Sequence, residues 1–473
     1  MTSEPVIRGV PTGRRDADAA ATEADAAAAG TDVLVTVRGG TLRGRRADGL
    51  TVLRGVRYAT ADRFAAPVPE RQWSGILDAR EHGAVSPQPP ARATTAGGWC
   101  EVGVQSEDCL NLTVVTPAAD RAARPVLVWL HGGSYRSGAG SWDRYRTDRL
   151  AREGDVVVVS VNYRLGALGY LRAPGISPGN LGLLDQIEAL RWVRDNAADL
   201  GGDPENVTVV GQSSGAHSVA CLLGVEQARP LFRRAVLQSP PLGIGLAGER
   251  AAGRVADRFL ARLGRDPREA SLAEIVAAQQ LAERDVAARS GFGLAPAYQP
   301  VAGVSPLPDE PGWRAAWRAG APGLEVVLGT THREIAYFLA GGPLSRHVPL
   351  VGRAMENAAI RLATRSVFTR PTLRFAQQLA QAGAQVFAYR IDGPAPTSPY
   401  HACHCSDLPL LFGDEADWAQ APMLAGRTWA EVAARGGPLR AAWLAFAAGG
   451  AQALTAQGWP PYEGRGGRIQ RFG

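Results

Sequence analysis

Apolar residues fall into two patterns along this chain, and they alternate. Pro125-Val-Leu-Val-Trp-Leu130 and Asp155-Val-Val-Val-Val-Ser-Val161 are near-continuous apolar runs, the mark of strands buried on both faces. Leu110 to Val115, Arg234 to Ser239, Glu325 to Leu328 and Gln385 to Tyr389 read as further strands. Leu183, Ile187, Leu190 and Val193 keep helical spacing, so a helix is predicted from Leu183 to Asn196. Residues 248–290 and 354–383 look helical as well. Before all of these, Val33 to Val37 and Thr51 to Leu53 suggest a small antiparallel entry, punctuated by Gly39-Gly40 and Gly49. Strands alternating with helices argue an α/β fold, with a mostly parallel central sheet flanked by helices. The helices between the later strands would form a cap. Residues 1–32, rich in Ala, Asp and Arg without an apolar face, read as a mobile tail, and 33–473 as a single domain.

One junction carries chemistry. Val207-Thr-Val-Val-Gly-Gln-Ser-Ser-Gly-Ala-His-Ser-Val-Ala220 reads as strand, sharp turn and helix. A serine hydroxyl is a poor nucleophile unless a base reaches it and the developing oxyanion is stabilised. A strained strand-to-helix turn holds Ser213 out above the sheet. Gly211 and Gly215, two residues to either side, remove the Cβ atoms that would clash there. The N–H of Ser214 then opens a helix and points where negative charge would develop. The pentad alone is also what an ordinary glycine-rich turn looks like, so the rest of the chain must decide.

Composition narrows the chemistry. The 473 residues carry 51 basic and 45 acidic side chains, for a net charge of +6, and every basic residue is Arg. The absence of Lys excludes Schiff-base catalysis and a Ser-Lys pair. The Arg residues are interleaved with Asp and Glu, which suits a solvated surface rather than a nucleic-acid patch. Five Cys imply no disulfide framework. There is no signal-like apolar core at the N-terminus and no apolar run of membrane-span length. A cytoplasmic protein without a membrane span is expected.

A base and an acid for Ser213 follow from chain order, which in a nucleophile-elbow sheet runs Ser, then Asp or Glu, then His. That order removes His82 and His131, and His217 lies one helical turn along. His347, His401 and His404 remain, with His332 beside an acid candidate. His404, in Cys403-His404-Cys405-Ser406-Asp407, follows the late strand; His401 is the runner-up. For the acid, Glu334 follows Glu325-Val-Val-Leu328 closely. His131-Gly132-Gly133-Ser134, after a buried strand, has the close-approach backbone that an oxyanion hole needs.

Taken in order, these segments resemble the type-B carboxylesterase family, relatives of the cholinesterases within the α/β-hydrolases. The likeness runs from about residue 33 to the C-terminus. It includes Ser106-Glu-Asp-Cys-Leu-Asn-Leu112, Asn162-Tyr-Arg-Leu-Gly166, Gly179-Asn-Leu-Gly182, Gly201-Gly-Asp-Pro204 and Trp459-Pro-Pro-Tyr462. The resemblance implies an α/β-hydrolase fold with helical cap insertions, and a serine hydrolase that cleaves carboxylic esters through an acyl-enzyme. It implies Ser213 as nucleophile, Glu334 as acid and His404 as base, with oxyanion donors at the N–H groups of Gly133, Ser134 and Ser214. No metal or cofactor is called for. The partner is a small-molecule ester, with no nucleic acid, and the oligomeric state is left open. Ion pairs Arg63–Glu107 and Arg164–Asp185, and support of the acid by Ser239, are implied as well.

The same machinery acting on an amide, carbamate or thioester is the nearest alternative, and a non-catalytic adhesion or scaffold member is the alternative of another class. Several positions depart from the family. Gln212 and Ser214 stand where Glu and Ala are usual, and Ser134 where Gly or Ala is. Ser86 replaces the Cys that would bridge to Cys109, leaving Cys100 as the other conceivable partner. Ile335 replaces a Gly after the acid. Tyr135 and Phe338 are candidates for the pocket wall. A histidine base predicts that activity falls on acidification near pH about 6–7.

Overall fold

In the computed structural model, which describes residues 30–89, 96–98, 102–287, 295–340, 349–393, 398–464 and 466–473, the apolar runs assemble into one twelve-stranded sheet. Its main strands are β1 (Thr31–Val37), β2 (Gly40–Ala47), β3 (Leu50–Arg57), β4 (Asn111–Thr116), β5 (Arg124–Leu130) and β6 (Val157–Val161). They continue with β7 (Gly202–Gln212), β8 (Arg234–Gln238), β9 (Glu325–Thr331), β10 (Gln385–Ile391) and β11 (Gln470–Phe472). The spatial order is β1-β2-β3-β4-β6-β5-β7-β8-β9-β10-β11, with a short strand at Ile76–Asp78 beside β2. The chain enters antiparallel through β4 and β6, and every pair from β6 through β5 to β11 is parallel. This is the α/β-hydrolase fold.

Why the central strands read as continuous apolar runs is visible in their packing. Val126, Val128 and Leu130 face one core, where α1 (Leu181–Asn196) contributes Leu183, Ile187 and Leu190. Leu127 and Trp129, on the alternate positions, face a second core with Leu439, Trp443 and Phe446 of α8 (Trp429–Ala456). A strand with helices on both faces has no side left for polar residues. The helices between β8 and β9 are α3 (Glu249–Leu263), α4 (Leu272–Ala287) and α5 (Glu310–Ala319). Between β9 and β10 lie α6 (Pro349–Ala363), a π-helical stretch at Thr364–Thr369, and α7 (Arg370–Gln381). These are the expected cap insertions. Among the described residues, no helix is long and apolar enough to cross a membrane.

Two expectations shift. β9 runs on to Thr331, three residues beyond its apolar run. The expected tail of residues 1–32 lies outside the described residues as far as position 29, and β1 already begins at Thr31. Parallel strands put their carboxyl ends on one edge of the sheet, and binding sites in such sheets form outside that edge. Ser213 follows the end of β7, Glu334 the end of β9, and His404 the connection after β10.

Candidate active site

The turn from β7 into α2 (Ser214–Leu223) is as tight as its glycines suggest. A Cβ on Gly215 would sit 2.1 Å from the Leu130 carbonyl oxygen, and one on Gly211 would sit 2.5 Å from Gly215 itself. Ser213 between them takes φ 56° and ψ −122°, a conformation that costs a residue with a Cβ on the order of 1–3 kcal/mol. Its surroundings hold it there. The Ser213 N–H donates to Gln238 O at 2.9 Å, and the His217 N–H donates to Ser213 O at 2.9 Å.

The hydroxyl raised by this turn meets a histidine. Ser213 Oγ lies 2.8 Å from His404 Nε2, and His404 Nδ1 lies 2.6 Å from Glu334 Oε2. Glu334 is in turn fixed by the Thr331 N–H, which donates to its Oε1 at 2.6 Å, and its own carbonyl accepts from the His404 N–H at 3.2 Å. Both side chains are buried, and Phe338 and Phe368 pack 5.7 and 5.1 Å from the imidazole. Burial works against a charged imidazole, but the Cys405 sulfur and the Glu334 carboxylate outweigh it and hold His404 well above the ordinary histidine range. That moves the expected acid limb of about 6–7 toward higher pH.

The other histidines are elsewhere. His401 is exposed, and His332 sits at the surface 3.4 Å from Asp392. His217 is buried with Nδ1 2.8 Å from the Tyr135 hydroxyl, and burial pushes it down to about 4, so it is neutral. His131 stacks on Tyr163 at 4.4 Å and is likewise pushed down to about 4 by burial. His347 lies outside the described residues.

The loop after β5 comes up beside the serine. A Cβ on Gly132 would stand 3.0 Å from the Ser213 Cβ, so only glycine lets the backbone this close. Gly133, Ser134 and Tyr135 all take positive φ, at 114°, 58° and 57°. Gly133 and Ser134 line the same cavity as Ser213, Ser214 follows it at the helix start, and among the described residues none of the three N–H groups has a hydrogen-bond acceptor. Unmet donors grouped in this way are what a developing oxyanion requires.

A cavity of about 150 Å³ opens in front of these groups. Its walls include Trp142, Tyr145, Tyr337, Phe338 and Trp418. Phe338 is therefore a wall residue as expected, but Tyr135 is not; it lies buried beneath the loop, bonded to His217. Cys405 also lines the cavity, and Gln212 Nε2 is 3.3 Å from both Cys405 Sγ and His404 Nε2.

Other expectations can be placed as well. Arg63 contacts Glu107 at 2.6 Å, and Arg164 contacts Asp185 at 2.6 Å with both side chains buried. Ser239 does not support the acid: its hydroxyl makes no hydrogen bond among the described residues, and Thr331 takes that part. Ile335 sits in ordinary helical backbone, φ −72°, so no glycine is needed there. Cys109 is a free thiol, Ser86 bonds to the Leu165 N–H, and Cys100 lies outside the described residues. Sequence reasoning missed Asp407. It is buried near Glu334, accepts from Gln238 Nε2 at 2.7 Å, and is pushed up to about 6, first by burial and then by the Glu334 charge.

Comparison with known proteins adds independent findings. A family model described as the carboxylesterase family matches residues 31–349. A probable N-octanoylanthranilate hydrolase, AqdA2, of Rhodococcus erythropolis is 44% identical over 431 residues, covering 90% of this chain and 94% of that protein. The para-nitrobenzyl esterase of Bacillus subtilis is 34% identical over 465 residues, covering 91% and 93%. The solved structure of a thermophilic PNB esterase superposes with a TM-score of 0.77 at 32% identity, covering 91% of this chain and 94% of that one.

Proposed function

The chain belongs to the carboxylesterase family, and from that premise we propose that Ser213 is its nucleophile, His404 its general base and Glu334 the carboxylate that orients the base. The protein is a carboxylic-ester hydrolase acting on small-molecule esters. His404 Nε2 takes the hydroxyl proton as Ser213 Oγ bonds to the acyl carbon. Glu334 holds the Nδ1 proton and stabilises the imidazolium. The carbonyl oxygen gains its negative charge against the N–H groups of Gly133, Ser134 and Ser214. The imidazolium then gives its proton to the leaving alkoxide, and an acyl-serine remains. Water, deprotonated by the same ring, attacks that ester, and the acid leaves as Ser213 recovers its proton.

The observation that carries this reading is the unbroken line from Ser213 Oγ through His404 to Glu334, at 2.8 and 2.6 Å. The test is rapid mixing with a chromogenic aryl ester. An acyl-enzyme that forms faster than it breaks down gives a burst of alcohol approaching one equivalent of enzyme. Added methanol should partition the acyl group to methyl ester. Turnover without any methanolysis product would remove the acyl-serine from the scheme.

A second reading keeps the triad and changes the bond. The relative named as a probable N-octanoylanthranilate hydrolase points to an N-acyl substrate. Matched octanoyl esters and anilides, compared by kcat/KM, separate an esterase from an amidase. We further read the chain as one catalytic domain over 33–473 working in a reducing compartment; the free thiols Cys109, Cys221, Cys403 and Cys405 support the latter.

A further inference from the structure

A larger cavity, about 430 Å³, lies behind the catalytic helix rather than in front of the serine. Its inner wall is α2, at His217, Ala220 and Cys221; its apolar sides include Leu242, Trp313 and Phe375. The rings of Trp313 and Phe375 stack with centroids 6.0 Å apart and planes 19° from parallel. His217 brings no charge, because burial keeps it neutral and its Nδ1 is already taken by the Tyr135 hydroxyl.

The charge comes from arginines. Arg370, Arg374 and Gln378 stand four residues apart along α7, on one stripe of the helix, and all three line the cavity. Arg314 and Glu310 both line it from α5 and are paired with each other at 2.6 Å, so the unpaired charge is that of Arg370 and Arg374. Arg370 and Arg374 have no carboxylate partner among the described residues. The local sequence explains it. Residues 357–391 contain no Asp or Glu, while Arg361, Arg365, Arg370, Arg374 and Arg390 fall in that stretch. Two like charges four apart on a helix repel each other, and no acid on the same segment relieves them.

We propose that this cavity is a second ligand site, taking an organic carboxylate whose acid group sits between Arg370 and Arg374 and whose apolar body lies along Trp313 and Phe375. Guanidinium forks match carboxylates in geometry as well as charge. A polar charge at the mouth and apolar rings within suit an amphipathic anion rather than a bare inorganic one. The hydrolysis of any carboxylic ester releases a molecule of this class. The site is separate from the catalytic cavity, since the two share no lining residue. They share elements instead: α2 runs from the elbow into the cavity wall, and the π-helical stretch offers Ser366 to the cavity and Phe368 to His404.

The test is titration of the full chain, its catalytic cavity first filled by a fluorophosphonate, with octanoate, octan-1-ol and inorganic phosphate, followed by calorimetry and tryptophan fluorescence. Octanoate should bind saturably, at least tenfold more tightly than octan-1-ol, and more weakly as salt is raised. The double variant Arg370→Gln, Arg374→Gln should lose at least tenfold in octanoate affinity, and Arg370→Glu, Arg374→Glu should abolish it, with both variants melting like the parent. Equal binding of acid and alcohol, or unchanged binding in the charge-reversed variant, overturns the proposal. Phosphate binding as tightly as octanoate overturns the organic part of it.

Discussion

Replacing Glu334 by Gln probes the reasoning about the buried pair most finely, because it keeps shape and removes charge. Glu334 holds His404 Nδ1 at 2.6 Å and is itself held by the Thr331 N–H at 2.6 Å. Gln can keep only one of these as they stand. If its carbonyl oxygen stays on the Thr331 N–H, its amide hydrogens face the Nδ1 proton. The ring then escapes by moving its proton to Nε2, which turns the base into a donor toward Ser213. If the amide flips, it faces the Thr331 N–H instead, and that buried donor loses its acceptor, at about 1–3 kcal/mol. Either way the imidazolium formed during turnover has no counter-charge. A loss of about 10³–10⁴ in kcat is expected, on the order of 4–5.5 kcal/mol of transition-state stabilisation. KM should change little, since Glu334 is fully buried behind the ring and outside the cavity. Steady-state kinetics against a thermal melt is the assay, with Glu334→Asp beside it to retain the charge on a shorter arm. A Gln variant within tenfold of the parent kcat would refute the assignment of an orienting carboxylate.

Further outcomes follow from the same geometry. Because the base must be neutral and His404 is held above the ordinary range, activity should fall as pH drops through a value on the alkaline side of about 6.5; a kcat/KM profile flat from pH 8 to pH 6 would contradict this. Asp407→Asn should stabilise the fold at pH 8. The carboxyl is raised from 3.8 to about 6 in the folded state, so its ionised form opposes folding above that value, by about 3 kcal/mol at most. The gain should vanish below pH about 4, where the parent carboxyl is neutral in both states, and denaturant melts at the two pH values read it. Thiol reagents should slow the enzyme through Cys405, which lines the cavity, and not through the buried Cys403, whose thiol burial pushes well above the ordinary range. Equal sensitivity of the parent and Cys405→Ala proteins would end that reading.

What the chain showed in advance was what its backbone demands. Gly211 and Gly215 are legible because a Cβ at either would collide with main chain. The buried strands are legible because both their faces are covered, which leaves only apolar positions. Helix α8 was not legible. Its sequence carries Gly436-Gly437-Pro438 and Gly449-Gly450, which read locally as breakers. Packing explains both interruptions: a Cβ on Gly436 would lie 2.2 Å from Leu410 O, and Gly450, at φ 61°, sits against Glu325. Strand β2 was missed because Gly40-Thr-Leu-Arg-Gly-Arg-Arg-Ala47 shows little apolar alternation. The aromatic wall was missed for another reason. Trp142, Tyr145, Tyr337 and Trp418 come from three separate segments, and only the folded chain joins them. Asp407 was in plain view three residues after His404, but nothing in its spacing distinguishes a buried carboxyl beside Glu334 from a solvated one.

The most direct measurement is the mass of the protein and of its peptides after reaction with a fluorophosphonate, with esterase activity followed in parallel. One adduct per chain is expected, on the peptide bearing Gly211-Gln-Ser-Ser-Gly215 and at Ser213 rather than Ser214, with activity lost in step with labelling. Ser213→Ala should take no label and turn over no ester while melting like the parent, because it loses a hydroxyl and no packing. An adduct at another residue, or ester turnover persisting in Ser213→Ala, would contradict the assignment of Ser213 as the nucleophile.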